Sequence, residues 1–379
     1  MPFDSARVVA ATEPSTVART GPDRVPARRR WRRAAVLVGL LIIGSLTWRL
    51  WLELNPEALR AAEAAYRRGD LTTALATATA YLQKRPWSGR AALIAARSLT
   101  RLDHAEQAEP YYGRAGRLEL DDLHLRSLGL GLANLCEPAI RSYREILKRS
   151  PADVLALRRL AGMLIVQHRW DEALAVADRL VMIPSGVVIG HTLAGVVHHD
   201  NENPDGAAAE FEQVLALDPE LRRMPLSPRL QFWIYLTRDL LTIGRAADAQ
   251  RYLRRALEES DDVYLLDLLG QACWQQGDLD EAERWWRQST ERNDQRASPF
   301  LSLGRLALQR NRPEEAIPSL ERAAKLAPGA REPVYHLSIA HRRLGHREEA
   351  DRLRDQAKRL PDPSVPRRTG MGSLPSQQP

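Results

Sequence analysis

An ordinary globular protein of 379 residues would contain two or three domains, and a net charge of +7 would suit a protein that binds nucleic acid. The excess charge, however, lies at the two ends of the chain: residues 1–33 contribute +5, residues 361–379 contribute +1, and the remainder contains 45 basic and 44 acidic residues. This nearly neutral body argues against a nucleic-acid-binding protein, and we expect no nucleic-acid partner.

Residues 1–30 combine Pro, Thr, Ser, Ala and Arg without a helical or alternating pattern, which predicts a disordered N-terminal tail. The next segment, 31–54, is predicted to be a single transmembrane helix. Residues 34–48 carry no charge, and beyond Arg49 the apolar run continues through Leu54, so that about 21 residues rise roughly 30 Å and can span a bilayer. A cleaved signal peptide is the alternative, but the preceding tail is long and no small-x-small cleavage site follows the apolar run.

The arginines around the apolar segment predict its orientation. Five arginines within residues 28–33 precede it, whereas Arg49 alone lies close to its other end. Positively charged flanks stay in the cytoplasm, which places the N-terminal tail there. We therefore expect a single-pass protein of the cytoplasmic (inner) membrane, attached through residues 34–54, whose remaining chain is extracytoplasmic. In a Gram-negative-type bacterium that compartment would be the periplasm.

After the apolar segment the chain repeats one helical unit, and residues 263–296 show its pattern. Leu269 and Cys273 lie on one apolar stripe of a first helix, because they recur at helical spacing. Gly277 predicts a turn, and Trp286 lies on the apolar stripe of a second helix. Two helices this short cannot bury both stripes alone, so neighbouring units must stack against each other.

The unit recurs in register through most of the chain. Counted from the first residue of each unit, the twentieth position is alanine every time: Ala74, Ala108, Ala139, Ala173, Ala207, Ala249, Ala282, Ala316 and Ala350. The eighth position is always small: Ala62, Ala96, Ser127, Ala161, Gly195, Thr237, Gly270, Gly304 and Ser338. Small residues at these two positions allow the helices to approach closely.

With these small residues the unit resembles a tetratricopeptide repeat (TPR), a helix–turn–helix motif. The resemblance implies an all-α fold, a TPR α-solenoid in which about nine repeats over residues 55–361 form a right-handed superhelix, preceded by the transmembrane helix. The repeats are expected to start near residues 55, 89, 120, 154, 188, 230, 263, 297 and 331. Residues 362–379 have no apolar periodicity and are predicted to be a disordered C-terminal tail.

Two steps between repeats depart clearly from 34 residues. The step before residue 120 is 31 residues and accompanies a glycine-rich stretch, so the third repeat is the weakest match. The step before residue 230 is 42 residues and leaves about eight extra residues around 221–228. We interpret this insertion as a loop or a local break in the solenoid, and as a candidate hinge.

No catalytic motif is present. The sequence contains no HExxH, paired CxxC, phosphate-binding loop or nucleophile elbow, so we expect no enzyme activity and no cofactor. Cys136 and Cys273 lie four repeats apart, too far for a disulfide, and both are predicted to be small core residues.

The best candidate metal cluster lies in the fifth repeat, but its histidines occupy packing positions, and we expect no metal site there. Its members are His191, His198, His199, Asp200 and Glu202.

The resemblance also implies where a partner binds, because TPR arrays bind peptides or helices in a groove lined by their first helices. The groove-facing positions of this chain are Arg67, Arg97, Arg101, Arg158, His199, Arg238, Trp274, Arg305, Arg342 and Arg343. The acidic residues expected to face the same groove are fewer: Glu63, Asp121, Asp200, Asp267 and Glu332. This excess of arginine predicts a preference for acidic protein segments. The Lys/Asn-rich carboxylate clamp of chaperone-binding TPR proteins is not found, so chaperone tails are not implied.

These features favour a membrane-anchored scaffold for protein–protein interactions, in an envelope assembly, secretion or maturation complex. A cytoplasm-facing TPR adaptor at the membrane is an alternative, although the chain lacks the paired-cysteine metal knuckle of the similar proteins that organise lipopolysaccharide assembly. A second alternative is a non-catalytic accessory arm of a transferase complex. It would need a catalytic partner chain, since fewer than 20 residues follow the last repeat.

Overall fold

The computed structural model describes residues 43–45, 57–224 and 229–361. The predicted transmembrane segment lies outside these residues, except for a short helical stretch at 43–45, and so do both predicted disordered tails. Among the described residues, no helix is both long enough and apolar enough to cross a membrane.

The described part of the chain consists of α-helices joined by short turns and contains no β-strand. In chain order the helices are α1 (Glu57–Arg67), α2 (Leu71–Lys84), α3 (Gly89–Arg101), α4 (Ala105–Arg114), α5 (Leu120–Leu132), α6 (Cys136–Arg149), α7 (Val154–Val166), α8 (Trp170–Val181), α9 (Val187–Asp200), α10 (Pro204–Leu217), α11 (Arg229–Thr242), α12 (Ala246–Glu259), α13 (Val263–Gln276), α14 (Leu279–Arg292), α15 (Ala297–Gln309), α16 (Pro313–Leu326), α17 (Arg331–Arg343) and α18 (Arg347–Arg359).

These helices form consecutive helix–turn–helix pairs, α1 with α2 through α17 with α18. The first helix of each pair begins within two residues of the repeat start read from the sequence, at 57, 89, 120, 154, 187, 229, 263, 297 and 331. The expected all-α repeat fold is therefore confirmed, while the handedness of the superhelix stays a prediction.

The described residues belong to two compact units. Those within 1–102 and 107–117 form the first unit, and those within 103–106 and 118–379 form the second. The core of the first is built from small and aliphatic side chains of α1 to α3, such as Leu59 and Ile94. The division falls beside the shortened 31-residue step that the sequence shows before residue 120.

Small residues bring the two helices of each pair together. All nine alanines at the twentieth position are at most 1% exposed, and every residue at the eighth position is buried. At Gly195 and Gly270 an added Cβ would lie only 2.6 Å and 2.5 Å from the rings of Phe211 and Trp286, respectively. The large side chain of the second helix thus occupies the space that a glycine on the first helix leaves open.

The N-termini of the second helices of the repeats are stabilised in two different ways. Asp70, Asn203 and Asp278 are N-caps that accept a backbone N–H with their side chains. Arg169 and Arg245 occupy the same N-cap position, but an arginine side chain cannot accept a hydrogen bond from a backbone N–H. Arg245 instead contacts Asp248 at 2.6 Å and donates to Glu212 in the preceding repeat at 2.8 Å. The arginines thereby join neighbouring second helices instead of capping one.

The insertion between α10 and α11 is packed over the part that the structure describes. Leu221 is only 2% exposed and belongs to a hydrophobic core that runs from Val188 to Leu306. The backbone N–H of Arg223 donates to the Asp218 carboxylate at 2.6 Å. The core is therefore continuous across the insertion. Residues 225–228 lie outside the described residues, and a hinge there stays a prediction.

Candidate functional site

The ten predicted groove residues all lie on first helices of the repeats. Arg67, Arg97 and Arg101 belong to the first compact unit, and the other seven belong to the second. Within the second unit, the structure brings Trp274 of α13 and Arg305 of α15 together: the guanidinium carbon lies 5.1 Å from the centre of the indole ring.

Trp274 and Arg305 line an open pocket of about 160 Å³, which we call the Trp274–Arg305 pocket. Its other lining residues come from the first helices of the seventh to ninth repeats and from α14: Gln271, Trp286, Ser298, Leu301, Ser302 and Glu332. The Trp274 Nε1–H donates to Gln309 at 2.9 Å, which fixes the orientation of the indole. The sequence predicted Trp274, Arg305 and Glu332 on this surface; the serines and Gln271 were missed, because small polar residues carry no distinctive signal.

Arg305 carries the positive charge of this pocket. It is exposed, and no carboxylate among the described residues lies within ion-pair distance of it. Nearby His336 stays neutral at pH 7, because burial and the charge of Arg305 lower its pKa to about 4. A flat guanidinium resting on an indole keeps its planar set of N–H donors available at the edge.

Asp267 does not face the groove as expected. It is 5% exposed, and burial raises the pKa of its carboxyl, while the hydroxyl of Ser298 and the charge of Arg296 act in the opposite direction. The Trp286 Nε1–H donates to its main-chain oxygen at 3.2 Å. Asp267 is thus a buried packing residue between α13 and its neighbours, so it contributes no exposed acid to offset the arginines.

His199, Arg342 and Arg343 are engaged within the protein. The Nδ1 of His199 lies 2.8 Å from the carboxylate of the buried residue Asp239, and its ring packs on another aromatic side chain. Arg343 donates to the main-chain oxygen of Leu308, where it satisfies a carbonyl at the end of α15. Arg342 lies 3.8 Å from an aspartate of α18.

The remaining predicted arginines differ in their surroundings. Arg101 lies over the ring of Tyr66 at 4.7 Å, and Arg97 is half-buried. Arg67, Arg158 and Arg238 are exposed. These three residues, together with Arg101 and Arg305, are the predicted arginines that are exposed and whose guanidinium groups have neither a described ion pair nor a described hydrogen bond.

The histidines of the fifth repeat do not converge on a common point. The Nδ1 of His191 contacts Glu210 at 2.7 Å, the Nδ1 of His198 contacts Asn203 at 3.1 Å, and His199 pairs with Asp239. In the described part of the chain, no group of three potential ligands could hold a metal ion.

The two cysteines are both free thiols. Cys273 is fully buried, as predicted, and burial raises its pKa to about 11. Cys136 is only half-buried at the start of α6, so the prediction of a core position was wrong for it. A helix start leaves a side chain beside a turn, where neighbouring repeats cover it less.

Sequence reasoning missed one further group of groove-side residues. Leu132 and Val166, in the last turns of α5 and α7, are 73% and 66% exposed, and Leu155 at the start of α7 is 44% exposed. In the sequence these residues match the apolar periodicity of the helices and cannot be told from core residues. Burial depends on what the neighbouring repeat places against them.

The tetratricopeptide repeat family model matches residues 133–186, 236–297 and 301–350. No curated protein sequence matches the chain. Solved structures with a similar fold include YrrB, described as a TPR protein with an unusual peptide-binding site (21% identity, 51% of this chain and 96% of YrrB covered, TM-score 0.44). PilW, described as a type IV pilus biogenesis factor, is 16% identical; the match covers 54% of this chain and 92% of PilW, with a TM-score of 0.46. A tetratricopeptide repeat protein from Parabacteroides merdae is 14% identical; the match covers 75% of this chain and 97% of that protein, with a TM-score of 0.42. The family match, together with the helix pairs, identifies tetratricopeptide repeats within residues 133–350.

Proposed function

We propose that this protein is a membrane-anchored scaffold for protein–protein interactions, and that the surface formed by its first helices binds acidic segments of protein partners. Tetratricopeptide repeats bind protein or peptide partners, which supports the general role. The Trp274–Arg305 pocket supports the preference for acidic segments, and it is the observation on which the proposal rests.

The chemistry of the pocket suits a carboxylate. Arg305 forms no ion pair among the described residues, so its guanidinium is available to a partner carboxylate; Glu332 lines the same pocket but lies beyond ion-pair distance. Bidentate pairs between a guanidinium and a carboxylate are strong because both N–H···O bonds are charge-assisted. The hydroxyls of Ser298 and Ser302 line the same pocket and offer further donors.

The binding test uses fluorescein-labelled peptides of matched length, one rich in glutamate and one rich in lysine, titrated into the full chain. We expect tighter binding of the glutamate peptide and a loss of about tenfold or more when Arg238 and Arg305 are both replaced by glutamate. Arg141→Glu is the matched control, because Arg141 is exposed on a second helix, α6. Equal affinity for both peptides, or no effect of the double variant, would remove the proposal.

The proposed membrane attachment and location rest on the sequence. The apolar segment 34–54 would anchor the protein in the inner membrane, and the arginines before it would keep the N-terminus in the cytoplasm. The repeats would then serve an extracytoplasmic assembly, secretion or maturation complex.

Protease digestion of spheroplasts and of inverted membrane vesicles tests this topology. Digestion of the repeats in spheroplasts alone is the expected result. Digestion in inverted vesicles alone would make the protein a cytoplasm-facing adaptor, and release of the protein by washing membranes with carbonate would exclude an integral anchor.

A further inference from the structure

The surface around Leu132, Leu155 and Val166, which we call the Leu132–Val166 surface, presents exposed aliphatic side chains on the side where the predicted groove lies. Leu132 and Val166 occupy the same repeat position as Arg67, Arg101 and Arg343. Leu155 occupies the same position as Ser298 and Glu332, which line the Trp274–Arg305 pocket. Exposed aliphatic side chains grouped on one surface are typical of a protein-binding site.

The two helices that carry this surface are in contact. A Cβ added to Gly131, next to Leu132, would lie 2.8 Å from the Cε of Met163 on α7. Along α7, Leu155 and Val166 are eleven residues apart, which corresponds to about 16 Å and to the same face of the helix. Between them, Gly162 has nothing within 4 Å of an added Cβ, so a partner backbone can approach closely there.

Three exposed charged residues near this surface have no described ion pair: Arg158 on α7, Asp121 on α5 and Asp200 on α9. Arg158 lies between Leu155 and Gly162, is exposed, and has no described ion pair. The carboxylate of neighbouring Asp153 is not available to pair with Arg158, because it contacts His124 at 2.8 Å and caps α7. Asp121 lies at the start of α5 and Asp200 at the end of α9, in the repeat positions of Leu155 and Val166 respectively, so Arg158 is the charge nearest the middle of the surface.

The spacing distinguishes a helical partner from an extended one. Two aliphatic contacts about 16 Å apart correspond to residues i and i+11 of an α-helix, which share one face. In an extended segment the same distance corresponds to about five residues, whose side chains point to opposite faces. A helix therefore satisfies both contacts at once.

We infer that the Leu132–Val166 surface binds an amphipathic helix of a partner protein, with an aliphatic face of about three turns and a carboxylate near its middle. Aliphatic side chains of that helix would cover Leu132, Leu155 and Val166, and its carboxylate would pair with Arg158. The inference rests on the proposed scaffold function and specifies one class of partner segment.

Three synthetic helical peptides test the inference: one with an aliphatic face and a central glutamate, one with lysine in place of that glutamate, and one with serines on the aliphatic face. Their binding to the full chain is measured by fluorescence anisotropy. The glutamate peptide should bind about tenfold or more tightly than the serine peptide, and Leu132→Ser with Val166→Ser should remove that difference. Arg158→Glu should reverse the preference between the glutamate and lysine peptides.

Several outcomes would overturn the inference. These are equal binding of the three peptides, binding that is unaffected by Leu132→Ser with Val166→Ser, and a charge preference that survives Arg158→Glu. If sedimentation shows that the serine variant converts a dimer of the chain into a monomer, the surface joins two copies of this protein instead.

The controls separate this inference from the proposed function. Thermal melting of the serine variant should match the original chain, because both side chains are exposed. If acidic peptides still depend on Arg305 while no amphipathic helix binds, the inference fails and the proposed function stands. If the acidic peptides also fail, both are rejected.

Discussion

Gly270 lies directly against the indole of Trp286: a Cβ on Gly270 would be 2.5 Å from the Nε1 atom. The same Nε1–H donates to the main-chain oxygen of Asp267 at 3.2 Å, so the indole cannot turn away without losing a buried hydrogen bond. This relationship explains why a glycine, which lowers helix propensity, stands in the middle of α13.

Gly270→Ala should therefore destabilise the protein by about 1–3 kcal/mol, because the added methyl group overpacks the junction between α13 and α14. Gly162→Ala is the matched control: it is also in a first helix, but its added Cβ meets nothing within 4 Å. The control should stabilise the protein by about 0.5–1 kcal/mol through helix propensity. Urea unfolding followed by circular dichroism measures both, and equal effects would contradict the packing described here.

Ala282→Arg should be strongly destabilising. Ala282 is completely buried at the twentieth position of its repeat, so an arginine would push two helices apart and bury an unpaired charge. We expect a loss of several kcal/mol, measured by thermal melting. Arg284→Ala, two residues away and exposed, should change stability by less than about 0.5 kcal/mol. A melt unchanged by Ala282→Arg would show that the repeat register is wrong.

Arg245 and Glu212 should be energetically coupled across two repeats. Two nitrogens of Arg245 donate to the two Glu212 oxygens at 3.0 Å and 2.8 Å, but the pair is partly exposed. A double-mutant cycle with Arg245→Ala and Glu212→Ala should give a coupling of about 0.5–1 kcal/mol. High salt should reduce this coupling through screening. A coupling of zero at low salt would mean that the arginine does not join the second helices.

His336 should make the protein less stable in acid. Its pKa is lowered from 6.5 to about 4, mainly by burial and additionally by the charge of Arg305. As the pH falls from about 6.5 to about 4, the unfolded chain binds a proton that the folded chain does not, so the free energy of unfolding decreases.

His336→Gln should remove this pH-dependent contribution. Its melting temperature relative to the original chain should be higher at pH 5 than at pH 7.5. Exposed His104→Gln serves as the control. If the melting temperatures of the variant and the original chain differ by the same amount at both pH values, His336 is not kept neutral by its surroundings.

The positions of the repeats were predictable because they depend on local rules. Helical spacing of apolar residues shows each helix, and the recurring small residues, such as Ala282 and Gly270, mark where two helices cross. These contacts form between helices that are adjacent in the chain, so one repeat contains both partners. The helix starts could therefore be read from the sequence to within two residues.

Contacts between different repeats were not predictable in the same way. Asp267 shares its repeat position with exposed Arg158 and with buried Thr192, so the position alone does not decide its burial. Arg343 satisfies the main-chain carbonyl of Leu308 in the preceding repeat. Leu132 and Val166 follow an apolar period, yet they remain exposed.

The sequence by itself thus determined the helix–turn–helix repeat, its register and the buried small residues, because these follow from helical periodicity and close packing within a repeat. Only the tertiary structure decided which groove-facing side chains are exposed and which are buried or paired within the protein. That outcome depends on which atoms of the next repeat lie beside each side chain, and the repeating pattern does not record those atoms. The Trp274–Arg305 pocket and the Leu132–Val166 surface are both products of such contacts between repeats.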